Sequence, residues 1–286
     1  MDGAAQPRST GPRQRSWVWG AAGAVVATTA TITAVSWVAA RPAATGGGPP
    51  RPDPQQERQQ VVTVYFVGAT AVGPRLFAER RQFGGRSDAL PWSLGNVVAG
   101  NALDPDHSST WPRHTALRAA RLRHGVVTVD LGGPVVRRPG SLTRADAAIA
   151  LQQVVRTAQS VTGTRAAVRF LHDGRPTPTV LGVTTRSPVR GGSDDAVLAP
   201  VSLASPVEQS MVVSPFTVTG HTTSPLRWDL RRDHVVVRRG RVAHLGCCAL
   251  APYWFRVSAP VGSYTLTVRG HGGSSDTRDV RVDPSE

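Results

Sequence analysis

The sequence is poor in cysteine, and this scarcity excludes several ways of stabilising a fold. Its 286 residues contain two cysteines, which are neighbours at Cys247 and Cys248. Two adjacent cysteines rule out a disulfide framework, a four-cysteine zinc site and a cysteine-ligated iron–sulfur cluster. We interpret the pair as small, partly buried thiols, with a strained vicinal disulfide as the alternative. The folded parts must therefore be stabilised by packing.

Lysine is absent from the sequence. All 33 basic residues are arginines, and against 19 acidic residues they give a formal net charge of +14. This complete preference is typical of high-GC coding and suggests an actinobacterial source. The charge is spread along the chain without the run of like charges that marks a polybasic tail, so we interpret it as solvated surface. Because the sequence has no helix-turn-helix, zinc-finger or RNP-type signature, we expect no nucleic-acid partner.

Sequence motifs of catalytic and metal sites are also missing. There is no GxSxG elbow and no SxxK motif, and neither cysteine lies in an activating context. Four histidines share the C-terminal part with the cysteines, but no pair has the spacing of a zinc finger or of an HExxH helix. We interpret the four as scattered surface residues, and they are His221, His234, His244 and His271.

Asp104 and Asp106, near His107, form the most suggestive group of chemically active side chains. Their surroundings are rich in proline and serine, which places them in a loop. We interpret the group as a solvated turn. The sequence therefore predicts no catalytic, cofactor-binding or metal-binding residue, no cofactor, and a protein that is not an enzyme.

Residues 16–40 form a stretch without a charged side chain. At about 1.5 Å per residue, a helix of this length can cross a hydrocarbon core of ~30 Å. Tryptophans near both ends suit the two bilayer interfaces, and the arginine excess in residues 1–15 keeps that end cytoplasmic. We predict a single-pass anchor with extracytoplasmic domains. The alternatives are a secretory signal with Val38 and Ala40 before its cleavage site, which exports the same domains, and a buried globular helix.

Proline and glycine are concentrated in residues 41–60, which contain no aromatic residue. Such a segment cannot bury enough apolar area to offset its ordering entropy, so we predict a disordered linker. A second shift in composition, at residues 190–206, predicts a linker over 191–210. The two linkers leave two folded domains, residues 61–190 and residues 211–286.

Alternating apolar and polar residues predict strands in the first of these domains. The strand-like runs are 61–67, 75–83, 116–122, 126–131, 167–171 and 179–185. His124 and Gly125 predict a hairpin turn between two of them. Residues 142–161 are predicted to be a helix, because Thr143 and Asp146 make a capping-box start and apolar residues recur at spacings of three and four. A sheet covered by one main helix makes an α+β domain.

The order of these runs resembles the GerMN domain of bacterial sporulation and spore-germination proteins. The resemblance covers about residues 61–190 and rests on a VTVYFVG strand, a RLFAERR strand, a central VVTVDLGG and an LQQVVRTAQSV helix that leads to VRFLHDGRP. The family usually has an amphipathic helix after the second strand. Here residues 88–112 contain Gly95 and Gly100, each of which costs a helix about 1 kcal/mol relative to alanine, so no clean helix is expected.

From residue 211 the sequence becomes a series of short alternating runs with regular turn signals, which predicts an all-β sandwich over residues 211–286. Trp228 and Phe255 are expected at the centre of its core. The expected inward positions also include Phe216, Val218, Leu226, Leu230, Tyr264, Leu266 and Val268. The pieces SPFTVTG, LRWDLR and PVGSYTLTV resemble the immunoglobulin-like domain that often accompanies spore-germination modules. A structural role for Tyr264 at a strand-entry corner is implied.

These features predict a membrane-anchored, extracytoplasmic, non-enzymatic interaction protein of the bacterial cell envelope. Its expected partners are the lipid bilayer, through residues 16–40, and envelope proteins or peptidoglycan, with anionic envelope polymers or phospholipid head groups as counterparts for the arginines. The resemblance implies a link to sporulation or germination. The alternative is a cell-wall glycan-binding receptor or hydrolase with a site near residues 104–114, which a concave pocket holding two close carboxylates would favour.

Overall fold

The structure is a computed structural model that describes residues 60–85, 88–244 and 249–284. Outside these ranges lie the predicted segments 1–15 and 16–40, all but the last residue of the linker 41–60, and the pair Cys247 and Cys248. Among the helices of the described ranges, none is long and apolar enough to span a bilayer. The described residues all belong to one compact unit, Pro52–Glu286.

The N-terminal module is an α+β unit, as predicted. Its elements in chain order are β1 (Gln60–Thr70), β2 (Gly73–Phe83), α1 (Ala89–Ala99), β3 (His107–Ser108), β4 (Ala116–Arg123), β5 (Val126–Gly132), α2 (Arg144–Thr162), β6 (Ala167–His172), β7 (Arg175–Pro176), β8 (Thr179–Val180), β9 (Val183–Thr184) and α3 (Asp194–Val197). One sheet has the order β2-β1-β3 and another has the order β4-β5-β6-β7. The long helix α2 crosses over between β5 and β6, which are parallel.

Local signals explain the elements that the sequence predicted correctly. The β4–β5 hairpin turns at His124 and Gly125, both of which have positive φ, as a tight turn of two residues requires. Thr143 caps α2 and forms a reciprocal capping box with Asp146. The apolar stripe of α2 packs into the core that both sheets share, and Leu151 is fully buried there.

The helix α1 corrects the expectation that residues 88–112 form no clean helix. Asp88 accepts a hydrogen bond from the backbone N–H of Leu90 and starts the helix. Gly100 is the C-terminal cap with a φ of 73°, so it lies where glycine favours helix termination and not in the interior. Only Gly95 carries the helical glycine penalty, and the burial of neighbours such as Leu94 and Val97 offsets it.

A second correction concerns residues 179–185, which the alternation pattern predicted to be one strand. They form a tight hairpin of β8 and β9. Leu181 and Gly182 both have positive φ and make the turn. The apolar and polar alternation is the same in a bent and in a straight strand, so it did not show the turn.

The C-terminal module is a sandwich of two sheets. Its elements are β10 (Val201–Ser205), β11 (Ser210–Val213), β12 (Phe216–Thr222), β13 (Leu226–Arg232), β14 (Val235–Val242), β15 (Ala251–Val257), β16 (Gly262–Arg269), a short 3-10 turn (His271–Gly273) and β17 (Ser275–Asp283). The sheet orders are β10-β12-β15 and β11-β17-β16-β13-β14. Side chains from both sheets form one apolar core. The pair β11 and β17 is parallel, and every other pairing in these two sheets is antiparallel.

Two expectations about this module are wrong. The segment 191–210 is not only a linker, because it contains α3 and the edge strand β10, whose Val201 and Leu203 are buried in the sandwich core. Trp228 and Phe255 stack on each other with ring centroids 4.8 Å apart, but both are only half-buried at the rim of that core. The residues with no exposure, such as Leu230, Leu266 and Val268, are aliphatic, and the aromatic residues buried in the core are Phe216, Tyr253 and Tyr264.

Candidate functional site

Six ionisable side chains are buried where the two modules meet. We call them the buried charge cluster, and they are Glu79 and Arg81 of β2, Asp104 of the loop after α1, His107 of β3, and Asp276 and Arg278 of β17. Each residue is at most 8% exposed. Charged groups at this depth are costly unless they are paired, so the partners of each group decide what the cluster does.

Strand alternation places Glu79 and Arg81 on the buried face of β2. This face also carries Phe77 and Phe83, and the Arg81 guanidinium lies 4.8 Å from the centre of the Phe66 ring. The guanidinium Nη2 of Arg81 donates to Glu79 Oε2 at 2.6 Å. The two buried charges of β2 therefore neutralise each other within their own strand.

The Glu79 carboxylate is the acceptor for several donors of the following loop. His107 Nδ1 lies 2.9 Å from Oε1, the backbone N–H of Leu103 donates to Oε2 at 3.0 Å, and that of Asp104 donates to Oε1 at 3.3 Å. Burial alone would raise the pKa of Glu79. The hydrogen bonds from His107, Arg81 and Leu103 outweigh burial and lower the pKa to about 2.

The loop between α1 and β3 is built to bring His107 to Glu79. Asp104 accepts a hydrogen bond from the N–H of Asp106 at 2.8 Å, and its carbonyl accepts from the N–H of His107 at 3.1 Å. The His107 ring packs on the Phe77 ring with centroids 4.8 Å apart. Gly68 makes room for this contact, because a Cβ at that position would lie 2.6 Å from the Phe77 ring.

The sandwich supplies the other half of the cluster. Arg278 Nη1 donates to Asp276 Oδ1 at 2.7 Å and also bonds Asp104 Oδ2, while its Nη2 donates to the carbonyl of Leu203 at 3.2 Å. The backbone N–H of Leu203 in turn donates to Asp276 Oδ2 at 2.6 Å. The contact between Arg278 and Asp104 therefore ties the sandwich to the N-terminal module by a charged hydrogen bond.

Asp276 differs from Glu79 in its electrostatics. Burial raises the pKa of Asp276, and the nearby charges of Arg278 and His107 oppose this rise without cancelling it. The His107 Nε2 atom lies 3.8 Å from Asp104 Oδ2 and 3.9 Å from Asp276 Oδ1, which is too far for a hydrogen bond. Among the described residues this buried nitrogen has no hydrogen-bond partner.

Asp104, His107 and Asp276 have the donor types of a metal site, and their ligand atoms lie within 4.8 Å of one another. The same two carboxylate oxygens that face His107 Nε2 are bonded by Arg278 Nη1. The guanidinium thus takes the place and the charge that a cation would need. The arrangement fits an internal ion pair better than a metal centre.

Little space is left beside the cluster. A cavity of about 10 Å³ is lined by residues of both modules, among them Ala78, Asp104, Leu203 and Arg278. A single water molecule needs roughly 10–15 Å³ by the same measure. The carboxylates therefore face packed protein, with no room for a sugar ring.

The structure overturns one sequence interpretation of these residues. Asp104 and His107 were expected in a solvated turn, but both are buried against the second module, and only Asp106 is exposed. Sequence reasoning also missed Asp276 and Arg278. Both share the inward parity of Val280 and Val282 on β17, and charged residues at inward positions of a strand are the signal that could have identified them.

The four C-terminal histidines are scattered. His221, His234 and His271 are exposed, and His244 is half-buried with its Nε2 3.1 Å from the carbonyl of Ala249. Within the described residues, none of the four belongs to a group of possible metal ligands. Although His221 is exposed as a residue, partial desolvation of its ring lowers the pKa of His221.

Comparisons with known proteins bear on the N-terminal module. Residues 63–178 match the family model named Germane and described as sporulation and spore germination. The match confirms the GerMN resemblance for that segment. The immunoglobulin-like resemblance of the sandwich has no such match. A comparison with curated proteins gives no match.

Solved structures resemble the chain only distantly. The tandem GerMN domains of the sporulation protein GerM from Bacillus subtilis share 12% identity, with 47% of this chain and 46% of that chain covered and a TM-score of 0.37. The first GerMN domain of that protein also shares 12% identity, covering 47% of this chain and 99% of its own length, with a TM-score of 0.36. A CARDB domain from Pyrococcus furiosus shares 12% identity over 29% of this chain and 91% of its own, with a TM-score of 0.20.

Proposed function

Since residues 63–178 form a Germane domain of the sporulation and spore-germination type, we propose that the chain is a non-enzymatic interaction protein of the bacterial cell envelope. In this proposal residues 16–40 anchor it in the membrane, residues 41–60 act as a tether, and the Germane domain and the sandwich lie outside the cytoplasm. Envelope proteins or peptidoglycan are the proposed partners.

The non-enzymatic part of the proposal rests on one observation: Asp104 and His107 are engaged in contacts within the protein. Asp104 bonds Arg278 of the sandwich, and His107 bonds Glu79 of its own module. The side chains that the sequence made the best candidates for chemistry thus help to attach one module to the other. A docking protein benefits from two modules held in a fixed relation, because fewer internal motions are lost when it binds.

The alternative, a glycan receptor or hydrolase with a site near residues 104–114, would require an open pocket holding two carboxylates. Asp104 and Asp276 do approach each other through Arg278, but the space beside them is about 10 Å³. A glycosidase needs room between its carboxylates for the sugar and, in inverting enzymes, a water. This geometry favours the interaction protein.

The immunoglobulin-like assignment of residues 211–286 is also part of the proposal. It is supported by the two packed sheets and by the Tyr264 hydroxyl, which donates to the carbonyl of Pro260 at 2.9 Å at the entry of β16. A tyrosine that braces a strand corner in this way has a structural role.

Topology is tested by placing a cleavage site for a specific protease within residues 41–60 and adding the protease to spheroplasts. We expect release of a soluble fragment that contains both modules. A matched site placed within residues 1–15 should be cut only after the membrane is permeabilised. Protection of the 41–60 site until permeabilisation would contradict an extracytoplasmic location, and release without protease would indicate a cleaved signal.

Partner class is tested by crosslinking in intact cells followed by purification of the chain. Recovery of one dominant envelope protein or of intact peptidoglycan supports the docking proposal. Recovery of peptidoglycan fragments that the purified chain has itself shortened would contradict the non-enzymatic assignment.

A further inference from the structure

The outward face of the larger sandwich sheet is lined with arginine. On β13 the side chains of Leu226, Trp228 and Leu230 pack against the core, so Arg227 lies on the opposite face. Arg227 is directly opposite Arg241 on β14 and Arg269 on β16. Adjacent strands lie about 4.8 Å apart, so three arginines stand side by side in one row across the sheet.

A fourth arginine extends this row. Arg239 on β14 is opposite Asp229 on β13, one position further along the same face. We call Arg227, Arg239, Arg241 and Arg269 the arginine face, and all four are exposed. The surface towards β17 carries the polar residues Thr265 and Thr277 together with the charged residues Asp279 and Arg281, so the polar character of the face extends across the sheet.

Acidic residues compensate the arginine face only in part. Asp229 is bonded by Arg231 Nε at 2.6 Å and by Arg269. Among the described residues, no carboxylate lies within 4.0 Å of the guanidinium of Arg227, Arg239 or Arg241. Like charges placed directly opposite each other destabilise a sheet, so this row has an internal repulsion that a bound anion would relieve.

We propose that the arginine face docks on the phosphate head groups of an anionic phospholipid bilayer. A guanidinium donates two parallel hydrogen bonds to a phosphate, which suits arginine to this contact. Attraction to an anionic membrane surface acts over about one Debye length and contributes for each basic residue near the surface. The three exposed arginines of the face that have no carboxylate partner among the described residues are complementary in charge to an anionic membrane surface.

The predicted tether makes the bilayer the favoured partner, and to this extent the inference rests on the proposed function. About 20 residues separate the end of the predicted anchor from β1, and a flexible chain of that length has a root-mean-square span of roughly 25 Å. The folded unit would therefore remain close to the head groups, where even a weak electrostatic contact is populated.

The test uses residues 52–286, which form a compact unit without the anchor. Cosedimentation is measured with vesicles of phosphatidylglycerol mixed with phosphatidylcholine and with vesicles of phosphatidylcholine alone. We expect binding to the anionic vesicles only, and weaker binding at high salt. Because this fragment lacks residues 16–40, failure here leaves the anchoring proposal intact, and failure of anchoring leaves this result intact.

Variants distinguish a local face from net charge. Replacing Arg227, Arg239 and Arg241 by glutamine should weaken binding roughly 100-fold, since each arginine near the surface contributes about fivefold. The matched control replaces a set of exposed arginines elsewhere, Arg121, Arg123 and Arg137, and should change affinity by no more than about twofold. Equal losses in the two triple variants would overturn the proposal.

A competing polyanion provides the last arm of the test. If a soluble phosphodiester wall polymer binds the fragment more tightly than anionic vesicles do, at equal phosphate concentration, the bilayer is the wrong partner and the proposal is overturned. Absence of binding to anionic vesicles at low salt overturns it as well. Should the triple variant misfold by circular dichroism, Arg241→Gln alone is expected to lower affinity about fivefold.

Discussion

The molecule uses arginine in two opposite ways. In the buried charge cluster, Arg81 and Arg278 each bond a carboxylate and a backbone carbonyl, and both are almost completely buried. On the arginine face, Arg227 and Arg241 are exposed and lie opposite each other. The same side chain thus serves internal attachment in one region and is available to a partner in the other.

The difference lies in desolvation. A buried ion pair is weak evidence for stability by itself, because removing two charges from water costs about as much as their attraction returns. Once it has formed, however, losing one partner leaves a buried charge without compensation. An exposed arginine has no such dependence, because water solvates it equally well with or without a neighbour. Substitutions in the two regions should therefore differ strongly.

The largest effect is expected for Arg278→Ala. It leaves Asp104 and Asp276 buried side by side without their shared cation, and we expect a loss of about 3–5 kcal/mol in the free energy of unfolding. Urea denaturation measures this loss. The matched control is Arg281→Ala, three residues further along β17 and largely exposed, which should cost less than about 0.5 kcal/mol. Equal losses of unfolding free energy in the two variants would show that the buried and the exposed arginine do not differ in their contribution to stability.

The second largest effect is expected when Glu79 becomes protonated at low pH. Because the folded-state pKa of Glu79 is about 2, below its ordinary value, its contribution is complete above pH 4.5 and is lost as the pH falls towards 2. The free energy of unfolding should fall between pH 5 and pH 3. On the order of 2 kcal/mol of this fall should come from Glu79 and should be absent in Glu79→Gln.

A half-buried glutamate provides the control for this acid effect. Burial raises the pKa of Glu208, so its contribution has the opposite sign and grows as the pH falls. Glu208→Gln should therefore leave the acid loss unchanged or make it steeper. A Glu79→Gln variant that keeps the full acid loss of the natural chain would show that the Glu79 pKa is not lowered.

The sequence predicted the parts of this account that depend on neighbours along the chain. The capping box at Thr143 and Asp146 and the turn at His124 and Gly125 are encoded within a few residues, and both were found as expected. The buried charge cluster was not predicted. Asp104 and Arg278 are 174 residues apart, and nothing near Asp104 indicates that a second module will cover it.

Two other elements were also predicted wrongly because their roles are decided by the folded structure. The strand β10 was assigned to a linker because the shift in composition at residues 190–206 was interpreted as a domain boundary. Its pairing with β12, which makes it a strand, exists only in the folded state. Gly100 was counted as a helix breaker within α1. Its positive φ makes it the cap that ends the helix, and the sequence does not distinguish a glycine inside a helix from one at its end.

A smaller effect is expected when a carboxylate is neutralised on the arginine face. Asp229→Asn removes the partner of Arg231 and Arg269, but both arginines are partly exposed, so the cost in unfolding free energy should stay below about 1 kcal/mol. The affinity of the Asp229→Asn variant for anionic vesicles should rise, because the arginine face gains one net positive charge. A cost as large as that of Arg278→Ala, measured by the same denaturation experiment, would mean that the two regions are not different in kind.

The smallest effect is expected for Arg241→Gln. This change removes one member of the row of opposed like charges, so stability should change by less than about 0.5 kcal/mol, with relief of repulsion favouring a slight gain at low salt. Thermal unfolding at low and at high salt checks it, because salt should remove the difference between the variant and the natural chain. A clear loss of stability that persists at high salt would indicate a structural role for this arginine.

We expect the buried charge cluster to join the Germane domain and the sandwich into one unit that unfolds cooperatively. Scanning calorimetry of residues 52–286 tests it most directly, by comparing the calorimetric with the van't Hoff enthalpy of unfolding. We expect a single transition with the two enthalpies equal. Two separate transitions in the natural chain, each with the enthalpy of one module, would contradict it.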